Sequence, residues 1–192
     1  MGIRRVYFDS SLWISYILQE NLDNRAQRVQ QLIDQIKEDD EVILVSHLVL
    51  LEVLEVIRKR ITQMEQYTSL DDNKKEEIKD KIQEKTNNFI EILYRLVQEH
   101  RVALVNSQES VDTWFKATYS IFTTSFGDIS TYNSGGKGNN PPRYRYRGVG
   151  HYDIQHALTA KEYSARGLYT FDWGFAELQG NQEFEGIQFV IR

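Results

Sequence analysis

Five short runs of Val, Ile, Leu, Tyr and Phe punctuate the chain: RRVYF from residue 4, EVILVS from 41, RVALVN from 101, GLYTF from 167 and IQFVIR from 187. Several are apolar at consecutive rather than alternate positions, which is the pattern of strands buried on both faces. Stretches with helical spacing lie between them. Residues 22–39 place Val29, Leu32, Ile33 and Ile36 on one face. Residues 47–66 do so with Leu50, Leu51, Leu54, Ile57 and Ile61, and residues 73–100 with Ile78, Ile82, Phe89, Ile92, Leu93 and Leu96. The alternation predicts an α/β fold. The expected form is a three-layer α/β/α sandwich around a central, mainly parallel five-stranded sheet.

A chain of 192 residues can bury a substantial core. No internal repeat or second apolar nucleus divides it, so a single domain over residues 1–192 is expected. Two segments interrupt the alternation. SLDDN at 69–73 reads as a turn between two helices, which would make an αα-hairpin with the extended 73–100 helix. Residues 127–150 hold six of the eleven glycines and both prolines, Pro141 and Pro142, and read as a loop.

Four carboxylates fall where strands meet helices: Asp9 in VYFDSSLWI, Glu52 in SHLVLLEVLEVIRKR, Asp153 in GHYDIQHALTAKEY and Asp172 in GLYTFDWGF. If the runs pair in parallel, their carboxyl ends share one edge of the sheet. Like charges gathered there repel and cannot all ionise without a cation. A set of hard oxygen donors selects Mg2+ or Mn2+, and such a centre suits phosphodiester hydrolysis.

Each acid also has a simpler reading. Asp9 and Asp172 can cap the helices that follow them, and Asp153 can stabilise a helix N-terminus. Glu52 is harder to dismiss, because it lies in the mostly apolar run LVLLEVLEVI and a buried carboxylate needs a partner. Glu55, one turn on, can pair with Lys59. Three caps and an intrahelical Glu are a less economical account than one cation site. His151 and His156 flank Asp153 and read as surface or half-buried histidines rather than ligands.

The 127–150 loop carries Lys137, Arg143, Arg145 and Arg147, with Tyr144 and Tyr146 interleaved in RYRYR. Arginines bind phosphates and tyrosines stack on unpaired bases, which suits single-stranded RNA. Alternating Arg and Tyr also fits a short exposed strand. The net charge of -5 argues against a protein that merely coats nucleic acid, though not against a nuclease with a local basic patch. With no cysteine there is neither a disulfide nor a thiolate metal site. The start MGIRRVYFDSS lacks the apolar core of a signal peptide, and no run is long enough to span a membrane, so a cytoplasmic location is expected.

In motif order the chain resembles the PIN-domain family, and especially its VapC-like toxins. The pieces are the hydrophobic-Asp-Ser-Ser strand end VYFDSSLWI, the Ser-x5-Glu helix start SHLVLLE, the Asp-led helix YDIQHALTAKEYSARG and the strand end LYTFDWGF. They run from residue 4 to residue 178, and the last two are the most specific. The resemblance implies a PIN-type sandwich and a Mg2+- or Mn2+-dependent endoribonuclease, the toxin of a toxin–antitoxin pair. It implies Asp9, Glu52, Asp153 and Asp172 around the metal, with Ser11 and Thr170 in support. It also implies a small antitoxin as partner, and a homodimer. Compact toxin members are shorter than 192 residues, and the excess lies in the 73–100 helix and the 127–150 loop. Two other functions stay open: a non-catalytic RNA-binding or regulatory module on the same fold, and a structure-specific DNA nuclease.

Overall fold

All five apolar runs become strands, and they pair side by side in one direction. In the computed structural model the described residues are 3–19, 24–64, 72–107, 116, 118, 119, 121, 128–132, 143–147 and 149–191. In chain order the elements are β1 (Arg5–Phe8), α1 (Ser10–Ile17), α2 (Arg25–Glu38), β2 (Val42–Ser46), α3 (His47–Met64) and α4 (Asp72–Gln98). Then follow β3 (Val102–Val105), β4 (Asp128–Tyr132), β5 (Arg143–Arg147), α5 (His151–Glu162), β6 (Gly167–Thr170) and β7 (Gln188–Ile191). Two 3-10 helices, Trp173–Leu178 and Gln182–Phe184, connect β6 to β7.

The central sheet has the order β3-β2-β1-β6-β7 and every pairing in it is parallel. The chain therefore winds outward from β1 through β2 to β3, then returns to the other side of β1. Right-handed crossovers put the helices of the first half on one face and α5 on the other. The contacts agree: α1 packs on α2 and α3, and α3 on α4, whereas α5 meets β2, β6 and the second 3-10 helix. This is the three-layer sandwich expected from the alternation. The order reverses at β1 and β6, and a crevice opens there outside the strand carboxyl ends.

The helices bury the faces their spacing marks. Val29, Leu32, Ile33 and Ile36 are all buried on α2, as are Ile78, Phe89, Leu93 and Leu96 on α4. The α4 stripe thus packs on the body, and Phe89 meets Trp13 of α1 with ring centroids 6.0 Å apart. Truncating a fully buried Phe to Ala costs about 3–5 kcal/mol. In α3 the register differs from the Leu-based stripe. Val49, Val53, Ile57 and Ile61 face the core, while Leu51 is 60% exposed. These four follow strict i, i+4 steps along one ridge, and the leucines beside them fall off it.

The 127–150 segment is not a loop throughout, and the strand alternative for RYRYR holds. Within it β4 and β5 form a separate antiparallel ladder, from Asp128↔Arg147 to Tyr132↔Arg143. Alternating β-branched or aromatic residues in DISTY and RYRYR favour the extended chain over the loop that Gly and Pro suggest nearby. Of the 69–73 turn, Asp72 and Asn73 begin α4 and the rest lies outside the described residues. At the amino ends of the strands, buried Glu41 accepts a hydrogen bond from Arg166 Nη2 at 2.7 Å, an ion pair that ties β2 to β6.

Candidate metal centre at the sheet switch point

Asp9 leaves β1 with an extended backbone and caps α1 by accepting the Ser11 N–H at 3.3 Å. The capping reading of the sequence is thus correct for Asp9, and it does not exhaust the residue. Its carboxylate is only 4% exposed. Oδ2 also accepts Ser11 Oγ at 2.7 Å and Thr170 Oγ1 at 2.9 Å. Ser11 Oγ in turn accepts the Phe171 N–H at 3.0 Å, and Thr170 Oγ1 the Asp172 N–H at 2.8 Å. These bonds close the seam between β1 and β6 and fix one carboxylate at the crevice floor.

Asp172 ends β6 and caps the first 3-10 helix, accepting the Gly174 N–H at 2.8 Å. Its side chain stays exposed at the rim. Asp153 is the third residue of α5, and its Oδ2 accepts the Gly150 N–H at 2.6 Å. Burial is the largest influence on Asp153. With the nearby anions of Asp172 and Asp9 it outweighs the Gly150 bond and His156 and pushes the carboxyl up to about 7. Glu52 sits in the second turn of α3, half-buried, with Glu55 exposed one turn on.

Asp9, Glu52, Asp153 and Asp172 all line one cleft of about 380 Å3. Glu55 lines it too, as do Arg25, Arg60 and Tyr152. Sequence reasoning did not single out the last three. Arg25 comes from the start of α2, where its guanidinium lies 4.8 Å from the centroid of the Phe171 ring. Tyr152 and Trp173, each beside one of the acids, are exposed.

His156 corrects its reading as a surface or half-buried histidine: it is 1% exposed and lies inside the cluster. Its Nε2 is 2.8 Å from Glu52 Oε2 and 3.5 Å from Asp9 Oδ1. Its Nδ1 is 2.7 Å from Tyr7 OH, which is 2.7 Å from Ser46 Oγ. Burial works against a charged imidazole here, but the Glu52 hydrogen bond and the anions of Asp9, Glu52 and Asp153 outweigh it and raise the His156 pKa. Burial, with the charges of Asp9 and Glu52, holds the Tyr7 phenol well above its ordinary range despite the Ser46 bond, so it stays neutral. Two patterns point to this arrangement. His156 stands at i+3 from Asp153 on one helix, and Tyr7 at i−2 from Asp9 on one strand face.

Among the described residues, the donors that approach one another most closely are carboxylate oxygens of Asp9 and Glu52 and a ring nitrogen of His156, all within 4.8 Å. That set does not include Asp153 or Asp172, which face the same cleft from farther out. Two carboxylates and an imidazole form a donor set that a divalent cation accepts, and the mutual repulsion of the acids is relieved by one. Lys137 lies outside the described residues. So do the side chains of Arg143, Tyr144, Arg145 and Arg147, whose backbone forms β5. Scanned against protein-family models the chain matches none, and a search of the curated proteins gives no match. Among the described residues no helix is long and apolar enough to cross a membrane.

Proposed function

We propose that the chain is a divalent-metal-dependent endoribonuclease acting in the cytoplasm, a PIN-type toxin held in check by a small antitoxin. One observation carries this reading: acids from β1, α3, α5 and the end of β6 open into one cleft at the switch point of a parallel sheet. The motif order that resembles the PIN-domain family supports it, and the same resemblance favours a homodimer. Asp9, Glu52, Asp153 and Asp172 would hold Mg2+ or Mn2+, with Ser11 and Thr170 fixing the orientation of Asp9. When bound, such a cation supplies Lewis acidity and lowers the pKa of water.

The chain's own residues then have distinct tasks. Asp9 is held by three donors on Oδ2 and by Ser10 Oγ, which donates to Oδ1 at 3.3 Å, so both of its oxygens are fixed at the cleft. Arg25 and Arg60 line the same cleft as the acids and offer cations to a phosphodiester backbone. Tyr152, whose ring centroid lies 4.0 Å from that of His151, and Trp173 are exposed beside the acids and offer ring surface to unpaired bases. In the hydrolysis one P–O ester bond breaks and one forms from water, leaving a phosphomonoester end and a free hydroxyl.

A second reading has its own support. The buried His156 already gives Glu52 a partner, which is what a metal-free binding module on this fold would need. Incubation of labelled single-stranded RNA and of flapped DNA with the protein and Mn2+ separates the possibilities. Cutting of the RNA in preference to the DNA is expected. Cutting of the flap alone supports a DNA nuclease, and tight RNA binding without cutting or Mn2+ uptake supports the binding module.

A further inference from the structure

We infer that His156 is a direct ligand of the cation, and that this nitrogen makes the centre prefer Mn2+ to Mg2+. The inference rests on reading the acid cluster as a metal centre, and not on RNA being the substrate.

Geometry is the first support. Neighbouring donors around an octahedral cation, about 2.1 Å from it, stand about 3 Å apart. His156 Nε2 lies 2.8 Å from Glu52 Oε2 and 3.5 Å from Asp9 Oδ1, on both sides of that spacing. Among the described residues, these three are the side chains whose donors converge within 4.8 Å. Loss of the Nε2 proton frees a lone pair on the side of the ring that faces Glu52 and Asp9.

The support behind the ring is the second. A metal-bound histidine almost always donates its other N–H to an oxygen, which fixes the tautomer and the ring plane. Here Nδ1 can donate to Tyr7 OH at 2.7 Å, and Tyr7 can donate to Ser46 Oγ at 2.7 Å. Ser46 Oγ also accepts the Val49 N–H at 3.3 Å, which anchors the relay to the first turn of α3. The relay runs through the end of β2 and the middle of β1, both rigid parts of the sheet.

The position itself is the third. The other buried positions of α5 are Ile154, Ala157, Leu158, Thr159 and Ala160, and the Thr159 hydroxyl is satisfied within the helix by donating to the Gln155 carbonyl at 2.9 Å. An imidazole in such company must satisfy both nitrogens, and one of them faces carboxylates only. Carboxylates suit Mg2+ and Mn2+ alike, whereas an imidazole donor suits first-row transition ions, so a nitrogen in the shell favours Mn2+ over Mg2+.

The test uses the full chain labelled with 15N-histidine, titrated with Mn2+ and read by pulsed EPR, with Kd values for Mn2+ and Mg2+ from calorimetry. The expected result is a nitrogen hyperfine coupling that switches isotope with the label. His156→Ala should lose the coupling and weaken Mn2+ about 100-fold, with a smaller loss for Mg2+. Because His156 is in the core, Tyr7→Phe serves as a milder variant. It keeps the ring volume, removes the outer bond and should weaken Mn2+ about 10-fold. Mn2+ binding without nitrogen coupling would overturn the inference and leave the metal centre standing. Equal losses for Mn2+ and Mg2+ in His156→Ala would overturn the preference. No uptake of either ion by the folded wild type would overturn both the inference and the metal centre beneath it.

Discussion

Thr170 Oγ1 donates to Asp9 Oδ2 at 2.9 Å and accepts the Asp172 N–H at 2.8 Å, so one buried hydroxyl links two acids from opposite ends of the chain. Thr170→Val keeps the shape and removes both bonds. It leaves a buried carboxylate oxygen and a backbone N–H short of a partner, at a cost of about 2 kcal/mol. Urea unfolding in EDTA should show this loss, and Mn2+ affinity should fall with it, because Asp9 is no longer held. An unchanged midpoint and an unchanged Kd would show that the hydroxyl does not orient Asp9.

Stability of the metal-free protein should fall as pH rises. Asp153, with its carboxyl at about 7, binds its proton more tightly folded than unfolded. His156, raised above its ordinary value, does the same. The folded state therefore holds more protons than the unfolded state from about pH 4 to about 7 through Asp153, with His156 adding to the excess above its ordinary 6.5, and stability declines through that window. Saturating Mn2+ should remove or reverse the decline, since ligation competes with those protons. Chemical unfolding at pH 5, 6, 7 and 8, with EDTA and with Mn2+, checks both halves. Asp153→Asn should flatten the EDTA curve. A metal-free protein that gains stability across this range would contradict the electrostatics of the cleft.

Tyr152 and Trp173 flank the acids and are exposed, so their replacement should act on RNA and not on the fold. Base stacking contributes about 1–3 kcal/mol per base. Tyr152→Ala with Trp173→Ala should weaken single-stranded RNA binding by one to a few orders of magnitude while Mn2+ affinity stays the same. Quenching of Trp173 fluorescence by RNA in the Tyr152→Ala single variant gives an independent reading.

The basic strand β5 enters α5, and so Asp153, within a few residues. Arg143→Ala with Arg145→Ala should weaken RNA binding and reduce the slope of affinity against salt, with the fold intact. An unchanged slope would remove β5 from the RNA surface.

How much of this is legible in the sequence differs between residues for physical reasons. Asp9, Asp153 and Asp172 can be found because each sits where a strand stops or a helix starts, and Glu52 because it is a carboxylate inside an apolar helical run. Parallel pairing then brings those stops to one edge. The α3 register is harder to read, because leucines and valines crowd three faces of that helix and only packing decides that Val49 and Val53 go inward. In the 127–150 ladder the alternation of RYRYR shows one strand, while its partner DISTY is hidden by the glycines and prolines that dominate the local composition. His156 is the largest omission. Its burial comes from Glu52, Tyr7 and Ser46, which lie on other elements. The local signal, an i, i+3 step from Asp153, is common on helices without a site.

The most direct measurement is cleavage of a mixed single-stranded RNA pool by the wild type with Mn2+, by the wild type with EDTA, and by Asp9→Asn with Mn2+. Asn caps a helix as well as Asp, so this variant should fold, and its melting temperature in EDTA should confirm that. The account predicts cutting in the first reaction and none in the other two. Cutting that survives EDTA, an Asp9→Asn protein that cuts at the wild-type rate, or an intact pool in all three reactions would contradict it.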